Sequence, residues 1–229
     1  MMKRLQERPA ASAKKVAGRL CLDFVNLVGG WELRDRDRAR PRFGIRDDRL
    51  RDYADLVAFS LDRGVVDESS ARRLMRRAEE SPQEAQTVWK RAVALREALH
   101  GVAWTFENHK DPDAGDLEIV AAEIDAAHAH RVLGARAGKL EWKVEDSGLL
   151  EAPLGSVARS AEDYFMNGDL SRLHTCPGDD CGWIFEDTTK NRSRRWCDMG
   201  DCGNAAKVRD YRARAARGQT TPRSRRTSS

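Results

Sequence analysis

From residue 50 to residue 167 the apolar positions recur mostly at helical spacing, and on either side the pattern changes. Leu50, Tyr53, Ala54, Val57 and Leu61 share a helical face that Gly64 closes. Asp67 stands as the cap of a second helix over 68–80. The third is the most regular. Ser81-Pro82-Gln83-Glu84 has the form of a capping box with Pro at the first position, and Val88, Ala92, Leu95, Leu99, Val102 and Phe106 follow at intervals of 4, 3, 4, 3 and 4. A fourth helix spans 113–133 on Leu117, Val120, Ile124 and Ala127 and ends at Gly134, and a last one spans 154–167 on Val157, Ala161, Tyr164 and Phe165. Residues 139–144 alternate, with Leu140, Trp142 and Val144 on one face, which predicts a short strand paired with 18–27 or with Leu149-Leu150.

Ahead of the helices the pattern is weaker. Residues 18–27 alternate enough to read as a strand, Gly29-Gly30 follow, and the charged, poorly patterned stretch 31–42 reads as a mobile loop. Residues 1–17 are basic and Ala-rich and are expected to be disordered. The first 170 residues therefore predict a helix-rich domain with a small sheet.

Past residue 170 the helical period gives way to cysteines. Cys176, Cys181, Cys197 and Cys202 read C-x4-C-x15-C-x4-C, two short turns that can each deliver two thiolates to a tetrahedral ion. Between the pairs, Trp183-Ile184-Phe185 is an outgoing run, 187–191 is turn chemistry and Arg194-Arg195-Trp196 returns, so 182–196 reads as a hairpin that folds the second pair onto the first. Gly203-Asn204 offers a helix start with Asn as the cap, and 205–216 continues it. The same four cysteines can form two disulfides. Against that, Cys21 is left over, in an apolar run where it reads as a small buried hydrophobe, and 1–18 holds no apolar run of signal-peptide length. Four thiolates can also hold iron or an iron–sulfur cluster, but the knuckle–hairpin–knuckle layout favours one zinc ion. A closed four-cysteine site leaves no position for substrate, so the ion is structural, and its removal is expected to unfold the C-terminal module while leaving the rest of the chain folded.

Charge adds a direction to this picture. The chain has 229 residues, 40% apolar and 34% charged, with a net charge of +4. Residues 174–229 hold 12 Lys and Arg against 7 Asp and Glu, while the remainder holds 29 against 30, so the positive excess belongs to the zinc module and its tail. Arg192, Arg194 and Arg195 line the hairpin return, and Lys207, Arg209, Arg212 and Arg214 flank a face of Val208, Tyr211 and Ala215 expected to pack on the ribbon. Arg forks match phosphate, which points to nucleic acid, DNA first. The tail 218–229, with Arg223, Arg225 and Arg226 among Ser, Thr and Pro, reads as a disordered basic arm. No run is long and apolar enough to cross a membrane, so the expected location is the cytoplasm, with no membrane partner.

Catalytic constellations do not emerge. His128 and His130 are two apart on a helix, about 200° around it, and His100 and His109 share no i, i+4 face. No phosphate loop or nucleophile elbow is present, so the chain does not read as an enzyme. Asp23 and Asn26, beside Gly29-Gly30, are the polar pair to watch as a ligand site, with turn bonding as their plainer use.

Residues 176–214 resemble the CGNR zinc-finger family of bacteria, through the cysteine spacing, Asn191-Arg192-Ser193-Arg194-Arg195-Trp196-Cys197 and Met199. The family tetrad is Cys-Gly-Asn-Arg, and here the fourth position is Ala205, which leaves the ligands intact and removes one cation. Leu20-Cys21-Leu22-Asp23-Phe24-Val25-Asn26 resembles the opening of the ABATE domain that precedes such fingers, and Asp169-Leu170-Ser171-Arg172-Leu173 resembles the lead into the finger. The resemblance implies a transcriptional regulator, whose N-terminal domain senses a small-molecule effector or forms a homo-oligomer. The expected class is α+β: a helix-rich domain at 18–170 and a treble-clef-like knuckle–hairpin–helix module at 171–217. The competing reading is a structural zinc module that meets protein or RNA without sequence-specific DNA binding.

Overall fold

A computed structural model of the chain describes residues 1–35, 42–144 and 148–217. The expected basic arm at 218–229 lies outside the described residues, as do residues 36–41 of the expected loop. Helices α1 (Met2–Gln6) and α2 (Leu20–Val25) precede the hairpin β1 (Val28–Asp35) and β2 (Arg42–Asp48). Helices α3 (Tyr53–Asp62), α4 (Glu68–Glu80), α5 (Pro82–Glu107) and α6 (Ala114–His128) follow. A second hairpin, β3 (Arg131–Arg136) and β4 (Lys139–Val144), leads to α7 (Ala152–Asn167). The chain then runs through a 3-10 turn (Leu170–Arg172), β5 (Leu173–Thr175), β6 (Ile184–Glu186), a π-helical turn (Met199–Gly203) and α8 (Asn204–Ala216). Helix α5 is the axis of the fold and packs against α2, α3, α4, α6, α7, β5 and β6.

The long helices form where the period places them, but their ends obey local chemistry. Asp67 accepts from Ser70 N at 2.7 Å and starts α4. Ser81 makes no side-chain cap bond, so the expected capping box is not formed, and Pro82 begins α5 without needing that donor. The fourth helix was expected to reach residue 133 but stops at His128. Arg131–Arg136 instead pairs with β4, around a tight turn in which Ala137 and Gly138 both take positive φ (48° and 75°). The strand at 139–144 is therefore partnered by its sequence neighbour, and not by 18–27 or by Leu149-Leu150.

Three expectations for the front of the chain are corrected. The stretch expected as a strand at 18–27 is largely the helix α2. Its residues from Cys21 to Val25 are buried on every side, which erases the polar face that distinguishes the two periods. The expected loop at 31–42 contains β1 and the start of β2. Trp31 pairs with Ile45 and Leu33 with Phe43 on one face, while Glu32, Arg34 and Arg46 take the other or flank it. Residues 1–17 are ordered: Leu5, Ala10, Ala13 and Ala17 are buried, and Arg8 Nε bonds the fully buried Asp55 at 2.6 Å. Small residues and ion pairs anchor this segment, and neither produces a periodic signal.

One continuous core runs through the molecule. Leu22, Phe24, Phe59, Leu99 and Tyr164 share it with Trp183, Ile184 and Phe185 of the cysteine region, and with Cys176, Cys181 and Cys197 themselves.

Candidate metal centre and nucleic-acid interface

Strands β5 and β6 pair antiparallel, Leu173 with Glu186 and Thr175 with Ile184, so the first cysteine turn is the loop of that hairpin. Cys176 N donates to Trp183 O at 2.7 Å and closes it. The outgoing run at 183–185 was expected to return through 194–196; Ile184 and Phe185 pair instead with the strand before Cys176. Gly178 must lack a side chain, because a Cβ there would lie 2.8 Å from Cys202 Sγ. Residues 187–196 are a loop built on Asp187, which accepts from Thr189 N (2.8 Å), Thr189 Oγ1 (2.6 Å) and Arg194 N (2.9 Å). That loop returns the chain to Cys197, whose N–H reaches Cys176 Sγ at 3.4 Å.

The four sulfurs all lie within 4.8 Å of one another, with Cys181–Cys197 at 3.6 Å and Cys197–Cys202 at 3.7 Å. A tetrahedron of thiolates about 2.3 Å from zinc has edges of about 3.8 Å, so the spacing is that of ligands around an ion. Without a cation such a group shares its protons. Hydrogen bonding to Cys176 pushes the Cys181 and Cys197 thiols up, burial does the same to Cys202, and Cys176 is pulled down by bonds from Cys181 and Cys197. A dication takes the place of those protons. Three of the ligands are buried and Cys202 is half-buried, with no fifth side chain in the cluster. Among the described residues no other group of His, Cys, Asp and Glu is close enough to hold a metal. The ion is one structural zinc.

The cations singled out in the sequence fall into two classes. Arg194 is occupied within the fold. Its guanidinium donates to the carbonyls of Val16 (2.6 Å), Trp196 (3.1 Å), Glu186 (3.3 Å) and Cys197, and it lies 4.4 Å from the Phe185 ring centroid. Arg192 bonds Asp169 (2.9 Å) and Ser171 Oγ (3.0 Å), and Arg209 pairs with Asp179. Arg214 Nε bonds the Asp210 carbonyl one turn back, at 3.2 Å. Arg195, Lys207 and Arg212 are exposed and have no partner among the described residues. The helix that carries most of these is itself free. In α8 only Ala206 is buried, Val208 is 47% and Tyr211 61% exposed, and the expected packing of that face on the ribbon is not made. Ala205, in the position where the family tetrad has Arg, is exposed.

Asn26 and Asp23 join parts of the fold. Asn26, 1% exposed, donates through Nδ2 to Ile184 O (2.8 Å) and accepts through Oδ1 from Ile184 N (3.0 Å), acting as a β-partner for the edge of β6. Asp23 accepts from Ala17 N (3.0 Å) and Arg63 Nε (3.2 Å); burial pushes its carboxyl up against those bonds. Sequence reading missed the aromatic group formed by Trp31, Phe43, His100 and Trp104 against Thr175 and Cys176. The alternation Trp31-Glu32-Leu33-Arg34 was the available signal.

Residues 172–215 match the model of the CGNR zinc finger. Residues 18–168 match that of ABATE, described as "Putative stress-induced transcription regulator". A comparison with curated proteins gives no match. Since the second of these family models spans more than half of the sequence, and the finger that follows it brings four cysteines to zinc-ligand spacing, the chain belongs to the ABATE family and ends its described part in a CGNR zinc finger.

Proposed function

We propose that the protein is a transcriptional regulator that contacts DNA through the surface its zinc finger orders, with the N-terminal domain sensing a ligand and holding two copies together. One observation carries the first part: α8 is a helix with almost no buried face, and exposed cations without partners among the described residues lie on it and beside it. A helix of 13 residues is marginal in water by itself. Cys197, Cys202 and the π-helical turn at Met199–Gly203 hold its first turn in place. Arg195, Lys207 and Arg212 then face phosphate, with Arg209 and Arg214 available by exchanging weak surface bonds, while Val208 and Tyr211 are placed for apolar contact with base edges. Arg194 braces the loop that presents Arg195. Four reduced thiolates suit the cytoplasm.

Fluorescence anisotropy with a labelled duplex tests this. Three to four phosphate contacts predict a slope of log affinity against log salt of about −3. Charge reversal at Arg195, Lys207 and Arg212 together should abolish binding while leaving zinc content unchanged. No measurable duplex binding at low salt sinks the reading. The exposed Val208 and Tyr211 also favour a protein or RNA partner; single-stranded RNA in the same assay, bound more tightly than duplex, selects that alternative.

The oligomeric half rests on the β3–β4 hairpin. Leu133 (57% exposed), Leu140 (73%) and Trp142 (63%) share one face with Ala135, Val144 and Arg131, whose guanidinium pairs with Glu162 at 3.6 Å. An apolar face whose one cation is already paired complements its own copy across a two-fold axis, so its occupant is a second copy of this chain. Sedimentation equilibrium of Trp142→Glu should give a monomer where the wild type gives a dimer; equal masses refute it.

A further inference from the structure

Between the β1–β2 hairpin, the C-terminal end of α5 and the first cysteine turn lies a cavity of about 380 Å3, within the range of small-molecule sites. Its apolar wall is an aromatic group centred on His100. Trp31 stacks on His100 with centroids 4.0 Å apart, Phe43 meets His100 edge-on at 4.3 Å, and Trp104 meets Phe43 at 5.8 Å. Trp31 Nε1 and His100 Nδ1 are buried without a hydrogen-bond partner.

Apart from the Trp31 indole N–H, the polar wall is made of acceptors. Glu107 accepts from Thr175 N at 2.8 Å and from Thr175 Oγ1, and it has no cationic partner among the described residues. Asn108 uses Nδ2 on Trp104 O at 2.8 Å, which leaves its carbonyl oxygen. Gly182 O faces His100 Nε2 at 3.4 Å, which keeps the proton on Nε2 and leaves Nδ1 an acceptor. Cys176 belongs both to this wall and to the zinc centre, and four thiolates around one dication carry a net charge of −2. Among the described residues no lysine or arginine lines the wall to balance these groups. Burial keeps His100 neutral, with its pKa pushed down to about 3. Arg96, behind Trp31, is neutralised by Asp48 at 2.6 and 2.9 Å. Lys110 lies outside the wall, 5.3 Å from the Trp104 ring centroid. Aromatic faces, a carboxylate without a counter-ion and a nearby anionic metal centre all select the same ligand charge.

We propose that this cavity binds a small organic cation, an ammonium or amidinium group on a flat apolar body, with the charge against Glu107 and the body against Phe43 and Trp104. The proposal rests on the ligand-sensing half of the function given above and names its site. Glu107 holds the residue immediately before the first zinc ligand, so an ammonium arriving at that carboxylate acts on the cysteine turn through the Thr175 bonds.

Isothermal titration calorimetry of the zinc-loaded full chain with benzylamine, benzyl alcohol and benzoate tests the proposal. Benzylamine should bind at least tenfold more tightly than benzyl alcohol, and benzoate should not bind. Glu107→Gln should erase the preference for the amine. Because that change touches Thr175, Trp104→Leu provides a variant remote from the turn, expected to weaken benzylamine several-fold at unchanged zinc content. Benzyl alcohol binding as tightly as benzylamine, or no saturable heat from any of the three at about 10 mM, overturns the proposal. The titrations contain no DNA, so failure here and failure of duplex binding are separate results.

Discussion

Arg194→Ala should destabilise the protein without touching its nucleic-acid surface, whereas Arg195→Ala should do the reverse. The Arg194 guanidinium donates to carbonyls from three segments: Val16 at the front of the chain, Glu186 at the end of β6, and Trp196 and Cys197 beside the metal. A hydrogen bond from a charged donor contributes about 1.5–3 kcal/mol net. The residue is partly exposed, so water can take over some of the four acceptors. Counting two bonds as lost outright gives roughly 3–6 kcal/mol. For a chain of this size about 1 kcal/mol moves the melting temperature by roughly 2–4 °C, so Arg194→Ala should melt roughly 10 °C below the wild type. Arg194→Lys keeps the charge but not the planar fork, and should fall between them. Arg195, exposed and without a partner among the described residues, should leave the melt within about 1 °C on substitution by Ala and lower the magnitude of the DNA salt slope by about 1. Scanning calorimetry of zinc-loaded samples reads the first effect and anisotropy the second. If Arg194→Ala melts within about 2 °C of the wild type, the guanidinium is not the brace described here.

Asn26→Ala strands the N–H and C=O of Ile184 in the core, which should cost about 2–4 kcal/mol by urea denaturation, while Asn26→Asp, keeping the acceptor alone, should recover only part of it. Burial by itself would raise the Asp55 carboxyl, but bonds from Arg8 and Arg51 overcome this and hold it below the usual range. A depressed carboxyl stabilises above its unfolded pKa of about 3.9 and loses that contribution as pH falls through the folded value. The stability gap between wild type and Asp55→Asn should therefore be constant above about pH 5 and close below about pH 4; a gap that widens in acid contradicts the assignment. Chelation, or Cys197→Ala, should lower one cooperative transition of the entire chain, because the cysteines share the core of α2, α5 and α7. A structural zinc is worth about 10–16 kcal/mol, comparable with the whole stability of a domain. Far-ultraviolet dichroism that leaves a separate, unchanged helical transition after chelation would restore the picture of an independent module.

The sequence made the metal centre legible because thiolate spacing is local: two turns and a return suffice, and C-x4-C-x15-C-x4-C states them. Helix α4 and the first half of α5 were legible because one of their faces is wet; the second half of α5 is buried nearly all round and was read only because its large apolar residues continue the period set by the first half. The missed elements lie where that contrast fails. Cys21 to Val25 is buried all round, so its weak alternation carries no information about conformation. The alternation of Trp31 to Arg34 was real but sat in a charged stretch, and its partner strand lies beyond a connection of uncertain length in the pattern. The cations were misjudged for another reason. Nothing local tells Arg194 from Arg195; the carbonyls that capture the first come from residue 16 and from 186–197, and only the fold brings them together.

Those same long-range contacts constrain how a signal can reach α8. The base of the finger is fixed to the N-terminal domain on several sides: Asn26 pairs with Ile184, Ala17 O receives Glu186 N at 2.8 Å, Arg19 bonds Glu186 at 2.8 Å, and Trp183 Nε1 donates to Val28 O at 3.0 Å. Lys14 further ties Asp198 (2.5 Å) and Asp201 (2.6 Å) to the front of the chain. A hinge needs a segment that few contacts cross, and none is available here between β6 and the body. Regulation by swinging the finger as a rigid unit is therefore disfavoured by the packing. What can change at low cost is the first cysteine turn, reached from Glu107 through Thr175, and the distance between two copies of α8 if the β3–β4 hairpins pair. Both routes alter how the free helix is presented while leaving the core intact, and they are separable: substitutions at Trp104 should affect the first alone and substitutions at Trp142 the second alone.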